Sequence, residues 1–431
     1  MKRFLITIIM VALSGATFAN NKVFSITTSP AENTQNSMNF SWATHLDIKE
    51  TIIEISPVKK NKEHQKENWK NKITKVCKGV LCTTFDSVYS KTAKGEDFYE
   101  NVKINKYNET IESLKKNTHY KYRIIADGDT STTHYFKTSG SKEWSACIIS
   151  DFHAYSPLYA RTKSAMDMIG TVKQAVPTFE WVLHLGDITA WGGSYSFWKN
   201  LYQEKPFEDY MWAGVNGNHD NMTRGYHRTT NEFFRDAAAY PHNGYGNEMG
   251  VCYFFKYGEA LFIMLNNESM KTEEGLKEAQ EWVRKVVTEN PSRYKIVCEH
   301  YQWFYGESGK NSQYERWSEL FDELGIDLAL AGNNHIYVST HPIYKGSRSN
   351  GTAQSNGTVY IQTTSSDNER GVECDLSKPL EYNSDKIKFR WTEGANTVSG
   401  MYMKVSKKKM TLVLLNRYGE VLDTTEIYSN K

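Results

Sequence analysis

Cysteine, proline and long apolar runs are scarce in this sequence, and each scarcity closes off a class of protein. Six cysteines and nine prolines in 431 residues are too few and too scattered for a small disulfide scaffold or a proline-rich linker protein. Cys77 and Cys82 alone lie close enough in sequence to close a small loop in an oxidising compartment. Cys147, Cys252 and Cys298 sit inside apolar, strand-like runs and read as buried thiols. Beyond residue 13 no apolar run approaches the roughly 20 residues of a spanning helix, so no transmembrane anchor is expected. Net charge is also lacking: the formal value is +2, and loss of Lys2 and Arg3 would bring it to about neutral, which argues against nucleic-acid binding by bulk charge. Internal repeats, heptads and long low-complexity segments are missing too.

What is present is core material. Hydrophobic residues make up 39% and charged residues 24%, ordinary globular values, while 13% aromatics suggest stacked cores or an aromatic-lined cleft. The length exceeds what one core usually serves, so two domains are expected. At the start, Lys2 and Arg3 precede an apolar stretch over residues 4–13, and Thr17 and Ala19 are small residues suited to cleavage. This reads as a signal peptide over 1–19, and hence a periplasmic or secreted protein. No cysteine follows that point to take a lipid.

From 22 to about 140 the chain shows short alternating segments, "MNFSWAT", "ETIIEIS" and "HYKYRIIA", between polar turns: a small all-β domain. The Lys-rich stretch "KKNKEHQKENWKNK" mixes both signs of charge and reads as a solvated insertion. After the hinge "TSGSKEW" the texture changes. Over 144–431, apolar strand-length runs ("SACIIS", "WVLHLG", "YKIVCE", "IDLALAG") alternate with amphipathic stretches such as "EEGLKEAQEWVRKVV", the pattern of an α/β layered domain. Three strand-like runs from about Tyr402 extend its sheets.

Polar clusters follow these runs, where open α/β sheets place ligands. Asp151 and His153 follow "SACIIS"; if strand geometry persists, residues two apart reach one ion while Phe152 faces the core. Gly186 and Asp187 follow "WVLHL", with a carboxylate able to bridge two cations. Gly217, Asn218, His219 and Asp220 follow "MWAGVN" and combine a neutral oxygen ligand with a proton-donating imidazole. His300 follows "YKIVCE", and Gly332, Asn333, Asn334 and His335 follow "IDLAL". Five such clusters in this order are poorly explained by packing alone.

The order D-x-H, G-D, G-N-H-D, H and G-x-x-H resembles the calcineurin-like metallophosphoesterase superfamily. "GNNHIYVSTHPIY" and "GTVYIQTTSS" are similar to its purple acid phosphatase branch, and "FSWAT" and "LKKNTHYKYRI" to that branch's fibronectin type III-like domain. The resemblance implies an α/β fold, a two-sheet metallophosphoesterase sandwich flanked by helices, preceded by the small all-β domain. It also implies two divalent or trivalent metal ions (Fe, Mn or Zn). Asp151, His153, Asp187 and His335 would hold the first, Asp187 bridging, and Asn218 and His300 the second. The implied reaction is hydrolysis of a small-molecule phosphate ester by a metal-bound hydroxide, with His219 as proton donor and Asp220 orienting it.

Two departures from the branch stand out. Ala190 occupies the place of its tyrosinate, which removes the iron colour, while His153 stands where that branch has no histidine. Asn333 stands where that branch has a second-metal histidine, and three outcomes stay open: its amide oxygen, a harder and weaker donor, coordinates directly, acts through water, or leaves the second site weakly occupied with selectivity toward oxygen-preferring cations such as manganese or magnesium. Among the aromatics, Trp191, Trp303 and Tyr155 are candidate pocket residues, whereas Trp198 and Trp212 read as packing. Two alternatives stay open: a degenerate phosphatase fold acting as a binding module, and a phosphodiesterase or nucleotidase in place of a monoesterase.

Overall fold

Alternating burial builds the N-terminal part. The structure is a computed structural model that describes residues 22–58, 69–88, 98–156, 158–224, 228–349 and 357–429. The signal peptide expected over 1–19 lies outside these residues, as does most of the Lys-rich insertion. One antiparallel sheet orders Val23–Pro30, Met38–Thr44, Phe98–Ile111 and Val80–Val88. The other pairs Ile73–Lys78 with Glu50–Val58 and His119–Ala126, the last also pairing Asp129–Thr130 and His134–Lys137. In His119–Ala126, Tyr120, Tyr122, Ile124 and Ala126 are all buried, the period of two that a one-faced strand needs. With Phe40, Trp42, Ile53, Ile55 and Tyr107 they fill this core, and Trp42 stacks on Tyr107 at 5.3 Å. Cys77 and Cys82 fall on strands of different sheets and both thiols are free. The small loop between them is therefore not covalently closed.

The stretch over 138–144 is tied down where a hinge was expected. Thr138 and Ser139 are buried, and Thr34 Oγ1 donates to Ser139 Oγ at 2.9 Å. Glu180 takes an ion pair from Lys137 and a 2.7 Å hydrogen bond from the Tyr257 hydroxyl.

Beyond it lie two larger sheets. The first orders Met211–Gly214, Trp181–His184, Trp144–Ile149, Ser399–Val405, Lys409–Asn416 and Val421–Tyr428. Its first three strands are parallel and its last three antiparallel, so the C-terminal runs do extend the sheet. The second orders Tyr253–Tyr257, Ala260–Met264, Tyr294–Cys298, Leu328–Ala331, Val359–Gln362, Tyr337–Thr340 and Ile387–Trp391. The core between the sheets includes Ile148, Leu183, Phe262, Ile296, Leu330 and Met401. Helix Ala160–Ala175 covers the outer face of the first sheet. Helices Glu273–Glu289 and Tyr314–Leu324 cover the second. Glu273–Glu289 starts at Thr272, whose Oγ1 accepts from the Gly275 N–H at 3.1 Å, and buries Ala279, Trp282, Val283, Val286 and Val287, one helical stripe.

Candidate metal centre

Five strand ends meet at one place. Trp144–Ile149 delivers Asp151 and His153, Trp181–His184 delivers Asp187, and Met211–Gly214 delivers Asn218 and His219. From the second sheet, Tyr294–Cys298 delivers His300 and Leu328–Ala331 delivers Asn333 and His335. Strand alternation does not bring Asp151 and His153 together as expected, because the strand stops at Ile149. Both residues instead adopt left-handed backbone, φ 53° and 45°, as do Asp187 (53°), Asn333 (66°) and His335 (59°). Such conformations cost a non-glycine residue roughly 1 kcal/mol or more and persist where the surroundings overdetermine them. Here the loops bond to each other: the N–H groups of Asp151 and His153 donate to the carbonyls of Gly186 and Asp187, both at 3.0 Å. Gly186 has φ 98°, and a Cβ there would lie 2.3 Å from His300 Nδ1. One on Gly217 would lie 2.2 Å from Asp187 Oδ1.

The donor atoms converge. Asp187 Oδ2 lies 3.3 Å from His153 Nε2 and 3.2 Å from His300 Nε2. Asp151 Oδ1 lies 3.1 Å from His335 Nε2 and 4.0 Å from His300 Nε2. Three groupings each keep their ligand atoms within 4.8 Å: Asp151, His153 and His335; Asp151, Asp187 and His300; and His153, Asp187 and His219. His153 Nε2, His300 Nε2 and Asn218 Oδ1 are buried with no hydrogen-bond partner among the described residues. Buried polar atoms without partners are costly, and cations would satisfy all three.

The remaining ring nitrogens are anchored, which sets each tautomer. His300 Nδ1–H donates to the Leu185 carbonyl at 2.8 Å and His335 Nδ1–H to that of Arg370 at 2.6 Å. Charge balance tells the same story. Burial pushes the Asp151 carboxyl up, but the facing His335 and His300 imidazoles outweigh it and hold it at about 2. Asp187 is likewise held well below the usual range against burial, chiefly by His300 and His219. Burial pushes His153 and His300 down, yet Asp187, joined by Asp367 and Asp151 respectively, raises them to about 9 and about 10. Protons on these imidazoles neutralise the carboxylates, and they are the protons a metal would displace. The donor set therefore fits a metal centre.

His219 faces the same space. Its N–H donates to Asp187 Oδ1 at 2.8 Å, and its Nδ1–H donates to the Ala190 carbonyl at 2.7 Å, leaving Nε2 toward the site. Asp220 does not orient it, contrary to expectation. Its buried carboxylate accepts from the N–H groups of Ile188, Thr189 and Gly217 at 3.2, 3.0 and 3.0 Å, so it fixes the loops that carry Asp187 and Asn218. Asn333 donates Nδ2 to Gln302 Oε1 at 2.6 Å, which leaves its Oδ1 as the atom it can offer a cation.

Of the pocket candidates, Trp191 packs beside His219 with ring centroids 5.1 Å apart. Trp303 does not face the cleft: it is fully buried against Phe321 and Tyr360 in the layer under the second sheet's helices. Tyr155 is half-buried, edge-on to Phe197 and beneath Arg161. Trp198 and Trp212 are packing residues, as their sequence context suggested.

Sequence reasoning missed two residues. Asp367 is fully buried, and its Oδ2 lies 2.9 Å from His153 Nδ1, a carboxylate–histidine arrangement that orients metal-binding imidazoles. Asn267 Oδ1 accepts from the N–H groups of His300 and Tyr301, both at 2.8 Å. Both residues follow apolar strands, Val359–Gln362 and Ala260–Met264, so the strand-end rule applied to every strand would have found them.

Comparison with known proteins agrees with this geometry. Residues 146–337 match the calcineurin-like phosphoesterase family. Two uncharacterised proteins of Mycobacterium tuberculosis, from strains CDC 1551 / Oshkosh and ATCC 25618 / H37Rv, are each 21% identical over 313 residues. The match takes in 62% of this chain but only 57% of theirs. Among solved structures, purple acid phosphatase PPD1 from yellow lupin seeds has a similar fold, with TM-score 0.70 and 16% identity over 95% of this chain and 74% of its own. PhoD is similar at TM-score 0.59 and 12% identity, over 96% and 91%. With five strand ends converging on an aspartate and histidine cluster in this fold, residues 146–337 are a calcineurin-like phosphoesterase domain.

Proposed function

We propose that this chain is an exported, two-metal hydrolase of small-molecule phosphate esters. One observation carries the reading: His153 Nε2 and His300 Nε2, buried and with no hydrogen bond among the described residues, converge on Asp187 Oδ2 at 3.3 and 3.2 Å. Asp151, His153, Asp187 and His335 would hold one cation, and Asp187, Asn218 and His300 the other, with the Asn333 amide oxygen as a weak additional donor. Cations bound there would supply Lewis acidity for activating water and for neutralising phosphoryl oxygens. His219 is the acid. With Nδ1–H fixed on the Ala190 carbonyl, only Nε2 can hand a proton to the leaving oxygen. Burial, moderated by Asp187, keeps its pKa below the ordinary histidine value, which makes its protonated form a stronger acid. Asp220 acts through the loops, and Trp191 walls the leaving group.

The mature enzyme begins after Ala19. A fibronectin type III-like domain over 22–140 precedes the catalytic domain over 144–431, and the metals are drawn from Fe, Mn or Zn. Protein loaded with manganese, zinc or iron should hydrolyse an aryl phosphate, and Asp187→Asn should abolish both turnover and metal retention. Folded wild type that binds metal yet turns over no ester would favour a binding module on a degenerate phosphatase fold.

A further inference from the structure

The loop after strand Val359–Gln362 brings to the site a cation that none of the strand-end clusters provides. Arg370 is half-buried there, with Nη1 3.4 Å from His219 Nε2. Its backbone is pinned on both sides. The N–H donates to Asp367 Oδ1 at 3.0 Å, and the carbonyl accepts from His335 Nδ1 at 2.6 Å. The two carboxylates nearest in sequence are engaged elsewhere, Asp367 with His153 and Glu369 with Arg161, and no ion pair of Arg370 is formed among the described residues. An arginine beside so many carboxylates ordinarily pairs with one of them. This one is held by its backbone against the proton-donating histidine, with its fork of N–H groups left for an incoming anion.

We propose that Arg370 is a substrate-binding residue that selects phosphate monoesters over diesters, an inference that rests on the phosphoesterase reading above. A planar guanidinium matches two oxygens of a phosphoryl group by paired hydrogen bonds. A monoester presents three terminal oxygens and up to two negative charges, so it can engage the Asp and His cluster and still offer oxygens to Arg370. A diester has two terminal oxygens and one charge, and its second ester arm meets the guanidinium where a terminal oxygen would sit. Arg370 thus adds attraction for the monoester and obstructs the diester. It transfers no proton and forms no bond, so no step of the hydrolysis changes its balance.

The test compares metal-loaded wild type, Arg370→Gln and Arg370→Lys on a monoester and a diester of the same aryl alcohol. Binding of inorganic phosphate is measured alongside by calorimetry. Loss of a charge-assisted hydrogen-bond pair should lower monoester kcat/KM and phosphate affinity by about 30- to 100-fold, mainly through KM. Diester kcat/KM should hold level or rise, by no more than about 3-fold on the same scale, as the obstruction is removed. The lysine variant, which keeps the charge but not the fork, should fall between, and metal content should be unchanged in all three. Equal losses on both esters, or unchanged phosphate affinity in Arg370→Gln, would overturn the assignment. Wild type that neither hydrolyses an ester nor binds phosphate would instead remove the phosphoesterase reading, and this inference with it.

Discussion

At the scale of single residues, the site is bought with backbone strain: five of its residues sit at positive φ. That feature was not legible in the sequence, because Asp, His and Asn carry no mark of the φ they will adopt when neighbouring loops bond to them. Chemical identity was legible: Asp151, His153, Asp187, His219, His300 and His335 do meet in space. Position was not enough for Asp220, whose carboxylate serves backbone amides three residues and more away. Asp367 gives a direct test. Asp367→Asn keeps an oxygen for the N–H groups of Glu369 and Arg370 but removes the carboxylate charge facing His153. Metal affinity, read by competition with a chelator, should fall about 10- to 100-fold, while the melting temperature of the metal-free protein stays nearly the same. Unchanged affinity would mean that His153 needs no such partner.

At the scale of elements, strands were read well because apolar runs of four to six residues closed by polar clusters are a strong local signal. Side-chain direction beyond a strand end is decided by tertiary packing, and there the reading of Trp303 failed. Three residues after His300 the chain has already turned under helix Tyr314–Leu324, and the indole is in the core. Trp303→Ala should therefore destabilise the fold by about 3–5 kcal/mol, with kcat/KM for an aryl phosphate unaltered well below the new melting temperature. Trp191→Ala should do the reverse, leaving stability nearly unchanged and raising KM about 5-fold, the equivalent of about 1 kcal/mol of aromatic contact. A Trp303 variant with normal stability and raised KM would restore it to the cleft.

For the whole molecule, the N-terminal β region and the α/β region are joined by buried contacts that include a pH-sensitive group. His134 is buried, with Nε2 3.2 Å from Thr132 Oγ1 and its ring 5.1 Å from that of Tyr122. Burial pushes its pKa down to about 4, opposed only in part by contact with the Phe207 backbone. The unfolded chain, with a histidine near the usual value of about 6.5, takes up its proton first as pH falls. Stability from this group is thus complete above about pH 6.5 and is lost as pH drops toward 4, by roughly 3 kcal/mol in all. Urea midpoints across that window should show the loss in wild type and a shallower one in His134→Gln. Parallel curves would assign the acid sensitivity to other groups.

The same junction bears on the cleft. Ser25 meets the Tyr195 hydroxyl at 3.1 Å, and Asp86 accepts from the Ser196 N–H and Oγ at 3.2 and 2.8 Å. Helix Tyr195–Leu201, which begins four residues after Trp191, is therefore clamped from behind by the N-terminal strands. Those strands are a buttress behind Trp191, and among the described residues none of the clustered aspartate and histidine donors comes from them. Shortening the protein from that end would leave the aspartate and histidine cradle on its own strands and take the backing from the tryptophan wall, uncoupling ion retention from ester fit.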